Sequence, residues 1–286
     1  ESGRLRFTHG RPFFDAHAPA EIPSSIGAAV NALVKSLRPL QRDLVEAMAV
    51  WGRPLPGALA RELVPGSVAA PETLVVADES RTLRFASDTV GPLILDGLPA
   101  DRRHRWHVAI LAVLERQEAE PGLRAVHLLG AGRTADAVRD AVAGARGAVE
   151  RSAFRTAFEQ YRLALANLSA LGPGEVDRSA LALEAGQLAI RVGELTWALD
   201  VLDGSELPGA EADPRFRFEV LLARAHALRE QRRLGEASQI YTHARAVAAA
   251  LPTELLRVDL EEAANDLQAG EWQKGQERLE PVINEL

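Results

Sequence analysis

The constraint that narrows the fold most is one helical pattern repeated through the second half of the chain. Phe154, Ala157, Phe158, Tyr161, Ala164, Leu165 and Leu168 fall at i, i+3, i+4, i+7, i+10, i+11 and i+14, a continuous apolar helix face. The signature returns as Leu195, Ala198 and Leu202, as Leu234, Ala237, Tyr241 and Ala244, and more weakly as Trp272, Gly275, Leu279 and Val282. The small residues in register, Ala157, Ala198, Ala237 and Gly275, step by 41, 39 and 38 residues. An earlier helix and a tight turn (Arg191-Val-Gly-Glu194, Gln268-Ala-Gly-Glu271) precede the patterned helix. Such a pair cannot bury its stripe alone, so neighbouring pairs must stack into a solenoid. A solenoid offers a binding or force-transmitting surface, not an enclosed catalytic pocket.

At 286 residues the chain is long enough for two domains, each with its own core. Ala and Leu carry the apolar load, and both lose little on entering a helix. The absence of cysteine excludes disulfides, thiolate zinc sites and a cysteine nucleophile. No apolar run reaches the ~20 residues that span a bilayer, and no signal peptide is visible. The expectation is a cytoplasmic protein, and a start at Glu1 reads as an excised piece of a longer one. Residues 1–118 hold 14 Lys+Arg against 14 Asp+Glu; residues 119–286 hold 19 against 26 and carry the whole net charge of −7. An acidic solenoid repels phosphate backbones, which argues against general nucleic-acid binding.

The first 25 residues hold two short extended pieces, Leu5–Phe7 and Pro12–Phe14, and no independent core. Ile22-Pro-Ser-Ser25 starts a helix, because serine can cap its free amides. Ile26, Val30, Leu33, Val34 and Leu37 make that helix's stripe. Pro39 breaks it, and Leu40, Leu44, Val45, Met48 and Ala49 form the inner face of a second helix ending before Gly52. Arg53-Pro-Leu-Pro-Gly57 is a bend, and a short helix over Ala58–Val64 follows. Thr73–Ala77 and Thr82–Ala86 around Asp78–Arg81 read as a β-hairpin. From Asp88 to Glu118 the chain is helical, with one break at Gly97-Leu-Pro99. Helix, helix, short segment, hairpin, helix is the order of a winged helix. The fold class expected is therefore mainly α, with a winged helix and small hairpin leading into a solenoid of stacked helix pairs.

That order resembles one region of the STAND signalling ATPases, the large bacterial regulators of the LuxR/maltose-activator type and their kinase-fused relatives. The carrying residues are Ile22-Pro-Ser-Ser-Ile26, then Leu33 and Leu37, Arg42-Asp-Leu-Val45 and Ala47 to Gly52. Leu83-Arg-Phe-Ala-Ser87, Val90, Leu93-Ile-Leu95, Leu98-Pro99 and Arg102 to His107 continue the match. The helix pairs look like the tetratricopeptide-type sensor arm of that family, with steps longer than the usual 34. The resemblance implies that residues 1–36 trail an upstream ATPase module or linker, 37–119 form the winged helix and 120–286 the repeats. It implies a non-catalytic sensor region in signal transduction and transcriptional regulation, relaying a partner or effector to the ATPase module. The family's usual histidine after the hairpin is Ser87 here, which puts nucleotide sensing in doubt. No P-loop occurs, so no cofactor is expected in this piece, and ATP with magnesium would belong to the parent. A stand-alone adaptor that scaffolds two proteins, and a DNA-binding repressor, are the alternatives.

Chemistry-bearing candidates are few. Asp200/Asp203 and Glu261/Glu262 could pair for acid–base work, but solvated helix faces carry such pairs routinely, and catalysis needs their pKa values set apart. His104 and His107 stand at i, i+3 as two metal ligands would; no third ligand is near, and Arg102, Arg103 and Arg105 repel a cation. The segment where a recognition helix would lie, Pro65–Glu72, has no Lys or Arg for DNA contacts, and Arg81 and Arg84 are too few. The solenoid groove is the better candidate. Twelve residues before the register positions stand Ala145, Gly186 and Ala225, small enough for close helix approach. Positions one and four beyond these face a groove: Arg146, Gln187 and His226, with Val149, Ile190 and Arg229, and Arg191 beside them. The bland reading is a solvated face. The functional one is a groove for an acidic peptide, partner domain or small effector.

Overall fold

The computed structural model describes residues 5–8, 11–14, 25–66, 70–203, 213–249 and 251–285. Contacts divide the chain after Ala137 into two units. At the N-terminus β1 (Leu5–Thr8) and β2 (Arg11–Phe14) pair antiparallel, Leu5 opposite Phe14. Of the expected helix start, Ile22–Ser24 lie outside the described residues.

In the first unit α1 (Ile26–Ser36) begins at Ser25, whose hydroxyl accepts from the Ala28 amide. Val30 and Val34 of its stripe are buried, but Ile26 is 75% exposed, so the stripe starts one turn later than expected. α2 (Pro39–Trp51) has proline in its first turn, where a missing amide breaks no helical bond. It ends on Gly52, whose φ of 73° suits a residue without a Cβ. Leu44 to Trp51 are all buried, Glu46 included, while Leu40 is exposed. Next come α3 (Gly57–Leu63), β3 (Val75–Ala77), β4 (Leu83–Phe85), α4 (Val90–Gly97), α5 (Ala100–Arg116) and α6 (Pro121–Gly130). Ser67–Ala69, within the segment where a recognition helix would lie, fall outside the described residues.

Four sets of contacts fix these elements. The β3–β4 hairpin pairs Val75 with Phe85, and its turn is held by Asp78, which accepts from the Thr82 amide and the Ser80 hydroxyl. Leu55, legible in sequence only as part of a bend, exchanges two backbone hydrogen bonds with Leu83 at 2.7 and 2.8 Å, adding a bridge beside the hairpin. Arginines close two helix ends: Arg42 donates to the carbonyls of Val34, Lys35 and Leu37 on α1, and Arg103 to those of Leu95 and Leu98 at the end of α4. Orphan carbonyls at a helix C-terminus need such donors. Buried Glu46 is answered by Arg102 Nε at 2.8 Å and Trp106 Nε1 at 3.1 Å, which pins α2 to α5.

α7 (Thr134–Glu150) runs across the division. The second unit continues with α8 (Phe154–Ala166), a 3-10 turn at Leu168–Ala170, α9 (Arg178–Arg191), α10 (Leu195–Val201), α11 (Pro214–Glu230), α12 (Leu234–Ala248), α13 (Pro252–Ala269) and α14 (Trp272–Glu285). The expected register of small residues is where consecutive helices meet. Ala145, Ala157, Ala198, Ala225 and Ala237 are all at 0% exposure. A Cβ on Gly186 would lie 2.5 Å from Leu202 Cγ, so α9 and α10 approach closely there. The last pair keeps the spacing with Ala263 and Gly275, both buried.

One turn recurs between paired helices. Ser152 (φ 59°), Gly193 (82°), Arg232 (64°) and Gly270 (83°) each stand five residues before the small residue of the second helix, in left-handed backbone. The next amide reaches back to close the turn: Ala153 to Ala148 and Glu194 to Ala189 at 2.8 Å, Arg233 to Leu228 and Glu271 to Asp266 at 2.9 Å. This is the Schellman arrangement, which satisfies the last carbonyls of the first helix. The first unit uses the same turn after α5, at Glu118 (φ 50°), and after α6, at Gly132 (φ 77°). The connections between pairs differ. Asp177 and Asp213 cap α9 and α11 there, and residues 204–212 lie outside the described residues. Among the described residues, no helix is long and apolar enough to cross a membrane.

Candidate functional site

Residues on both sides of the small positions of α9, α11 and α13 line one groove of about 590 Å³. Gln187, Ile190 and Arg191 come from α9, Leu222 and His226 from α11, and Arg257 and Glu261 from α13. The groove is mixed in charge, and its carboxylates are engaged. Glu219 takes two bonds from Arg257, Glu230 lies 3.6 Å from His226 Nε2, and Glu261 pairs with Arg229. Arg191 differs. Its guanidinium sits 4.8 Å over the Phe154 ring and meets no carboxylate among the described residues. Gln187 is exposed, with its amide unbonded among those residues. An arginine fork and a free amide on one wall are donors suited to a carboxylate.

Four of the seven expected groove residues, Gln187, Ile190, Arg191 and His226, line this groove. Three do not. Val149, on α7, is 36% exposed and does not line it. Arg146 lies one repeat earlier on α7, and its fork closes on Glu184 at 3.1 and 3.0 Å, with the Tyr161 hydroxyl on the same carboxylate at 2.9 Å. Arg229 is 8% exposed and donates to both the carboxylate and the carbonyl of Glu261. It locks α11 to α13, because the position four beyond Ala225 faces the next helix. Charge reversal at Arg229 would set two carboxylates together in a buried place, so it is no neutral probe of the groove.

The other candidates resolve into structural roles. Glu262, 5% exposed, is held between Arg245 of α12 and Arg278 of α14. Glu261 serves Arg229, and Asp200 and Asp203 are exposed. Ser87 is exposed, its hydroxyl 3.0 Å from that of Thr89. His104 Nδ1 lies 3.0 Å from the Gly130 carbonyl, whereas His107 turns to His127. His127 is 3% exposed and stacks on Trp51 at 5.5 Å. Its burial, and then the nearby His107 and Arg53, push its pKa down to about 3. His107 is also lowered, by burial first and then by Arg103 and His104. Sequence reasoning passed over His127 and Glu46. Each is a single polar residue in an apolar run, which is the signal that could have flagged them. Among the described residues no group of three or more His, Asp or Glu is placed to hold a metal ion.

No protein-family model matches the chain, and no curated protein matches it. Among solved structures it is similar to a Signal Transduction ATPase with Numerous Domains (STAND) protein with a tetratricopeptide repeat sensor from Pyrococcus horikoshii. The identity is 11% and the TM-score 0.41, over 93% of this chain and 47% of that one. The chain thus spans about half the length of that protein.

Proposed function

We propose that this chain is the non-catalytic sensor region of a multidomain STAND-type signalling regulator in the cytoplasm. Its first unit is a winged helix acting as a lever, and its second is a tetratricopeptide-like arm that receives the signal. The reading is supported by the order of the motifs from Ile22 to His107, joined to stacked helix pairs. Two arginines of those motifs, Arg42 and Arg103, have a visible task in closing α1 and α4. The ATP chemistry belongs to an upstream module.

The groove takes an acidic segment of a partner protein. The observation that carries this is Arg191, a cation on the groove wall without a carboxylate of its own, beside the free amide of Gln187. Signalling is then a population shift: the partner must bind one arrangement of the parent better than the other, and the coupling equals that difference in affinity.

The test is calorimetric titration of the chain with an amidated octapeptide rich in glutamate. A charge-assisted contact is worth about 1.5–3 kcal/mol, so Arg191→Glu weakens binding at least tenfold while the chain stays folded, its melting temperature lowered only by the lost contact with Phe154. Arg229→Glu instead lowers the melting temperature. Unchanged affinity in folded Arg191→Glu overturns the groove assignment. For the wider reading, a P-loop encoded upstream of Glu1 supports it, and a stop codon there overturns it.

A further inference from the structure

Two helix pairs carry a tyrosine four residues past the small residue of their second helix, and the groups around it can be compared position by position. In the pair α7–α8 they are Arg146, one past Ala145, Tyr161, four past Ala157, and Glu184, two before Gly186 on the helix that follows. These close on one another: the Arg146 fork and the Tyr161 hydroxyl all bond the Glu184 carboxylate, at 2.9 to 3.1 Å. In the pair α11–α12 the same positions hold His226, Tyr241 and Glu261. The tyrosine and the carboxylate are kept, while the permanent cation becomes a side chain whose charge changes in the physiological pH range. A second change accompanies it. The position four past the small residue of the first helix is Val149 in the earlier pair and Arg229 in the later one.

Glu261 therefore has two claimants, and in this structure it lies on Arg229. That choice leaves two donors unsatisfied. Tyr241 is at 0% exposure, and its hydroxyl has no hydrogen-bond partner among the described residues; nor has the buried Nε of Arg229. Burying such groups unpaired is costly. The acceptors they lack are at hand. Arg229, Glu230, Glu261 and Glu262 are all within electrostatic reach of the Tyr241 hydroxyl. Glu230 lies between the two cations, 3.6 Å from His226 Nε2 and 4.0 Å from Arg229 Nε. If the two carboxylates trade cations, Glu261 takes the role that Glu184 has in the earlier pair, accepting from Tyr241 and His226. Glu230 then closes on Arg229, and both orphaned donors are bonded.

We propose that protonation of His226 drives this exchange and so opens the groove to acidic segments, a regulation that rests on the acidic-segment reading given above. With His226 neutral, the permanent charge of Arg229 holds Glu261. With His226 charged, the later pair reproduces the Arg146 arrangement, and Glu261 leaves Arg229 for His226 and Tyr241. The other carboxylates nearby do not compete, because Glu219 is bonded to Arg257 and Glu262 is held by Arg245 and Arg278. Arg191 of α9 repels the imidazolium, and Glu230 and Glu261 attract it. Both exchanged carboxylates line the groove, as does His226. The exchange turns the two carboxylates onto Arg229 and Tyr241 and adds a positive charge to the wall that holds Arg191 and Gln187. Proton and acidic segment then bind cooperatively, each raising the affinity for the other by the same factor.

The test uses the intact chain, with and without the glutamate-rich octapeptide, at about pH 6 and about pH 8, on either side of the ordinary histidine value. In crystals the Tyr241 hydroxyl lies within hydrogen-bond distance of the Glu261 carboxylate at the lower pH and apart from it at the higher. Titration calorimetry gives binding at least fivefold tighter at the lower pH. His226→Arg, which copies the earlier pair, binds tightly at both pH values, and His226→Gln binds weakly at both. Tyr241→Phe keeps the packing and removes the receiving hydroxyl, so the pH effect on its affinity falls to about twofold or less. A pH effect in that variant as large as in the unaltered chain overturns the proposal, because the imidazolium charge alone would account for it. Glu261 still seated on Arg229 in the low-pH crystals overturns it too. Exchanged carboxylates in a chain that binds the octapeptide at neither pH instead overturn the acidic-segment reading on which the regulation rests.

Discussion

The Nδ1 atoms of His107 and His127 face each other at 3.2 Å, so the contact holds only while one donates and the other accepts. Two neutral rings in opposite tautomers meet that condition; two protonated rings present two donors and repel. The surroundings add to the bias. His127 lies on Trp51, Arg53 stands 4.4 Å over the same indole, and Arg103 and His104 flank His107 from α5.

A base whose folded pKa is depressed binds its proton more readily once unfolded. Stability therefore rises with pH between about 3, the folded value of His127, and the ordinary histidine value. The unaltered chain should lose about 1.4 kcal/mol per pH unit from this group as pH falls through that window. The carboxylates titrate too, so the informative quantity is a difference. The urea midpoint of His127→Phe should fall less steeply between pH 6.5 and 4.5 than that of the parent. Parallel profiles would remove the histidine pair as a determinant.

Glycine fills the left-handed turn position at Gly193 and Gly270, but Arg232 and Ser152 occupy it elsewhere with φ of 64° and 59°. A side chain there costs roughly 1 kcal/mol against glycine. Arg232→Gly should raise stability by about 0.5–1 kcal/mol, and Gly193→Ala should lower it by a similar amount, in denaturant titrations.

At Gly186 the backbone is ordinary and space is the limit, since an added Cβ meets Leu202 Cγ at 2.5 Å. Gly186→Ala should destabilise by about 1–3 kcal/mol through overpacking. Leu202→Ala alone leaves a cavity and should also destabilise. The double variant should lose less than the sum of the two, because each change relieves the other. Strict additivity would show that the helices had moved apart.

Much of the second unit was legible because its evidence is periodic. The twelve-residue spacing from Gly186 to Ala198 and from Ala225 to Ala237 recurs in the sequence as small residues in a shared register. What the pattern could not distinguish is a groove position that faces solvent from one that faces the next helix. Arg191 and Arg229 look alike in sequence, yet one is open and the other is locked on Glu261, because the outcome depends on a partner 32 residues away. Leu55 illustrates another limit: proline on both sides marks a bend, and nothing local indicates that its backbone bonds Leu83. Glu46 was hidden for the same reason, its partners Arg102 and Trp106 being 56 and 60 residues distant.

The unequal steps of 41, 39 and 38 residues now have a location. The span from small residue to small residue within a pair is constant, so every difference in length falls between one pair's second small residue and the next pair's first, in the helix ends and in connections such as Leu171–Asp177. The arm is thus built of hairpins with a fixed crossing and turn, joined by segments of variable length. Extra residues placed in a joint should leave each hairpin intact, whereas a single residue added within a pair would rotate one helix by about 100° and turn its buried face outward.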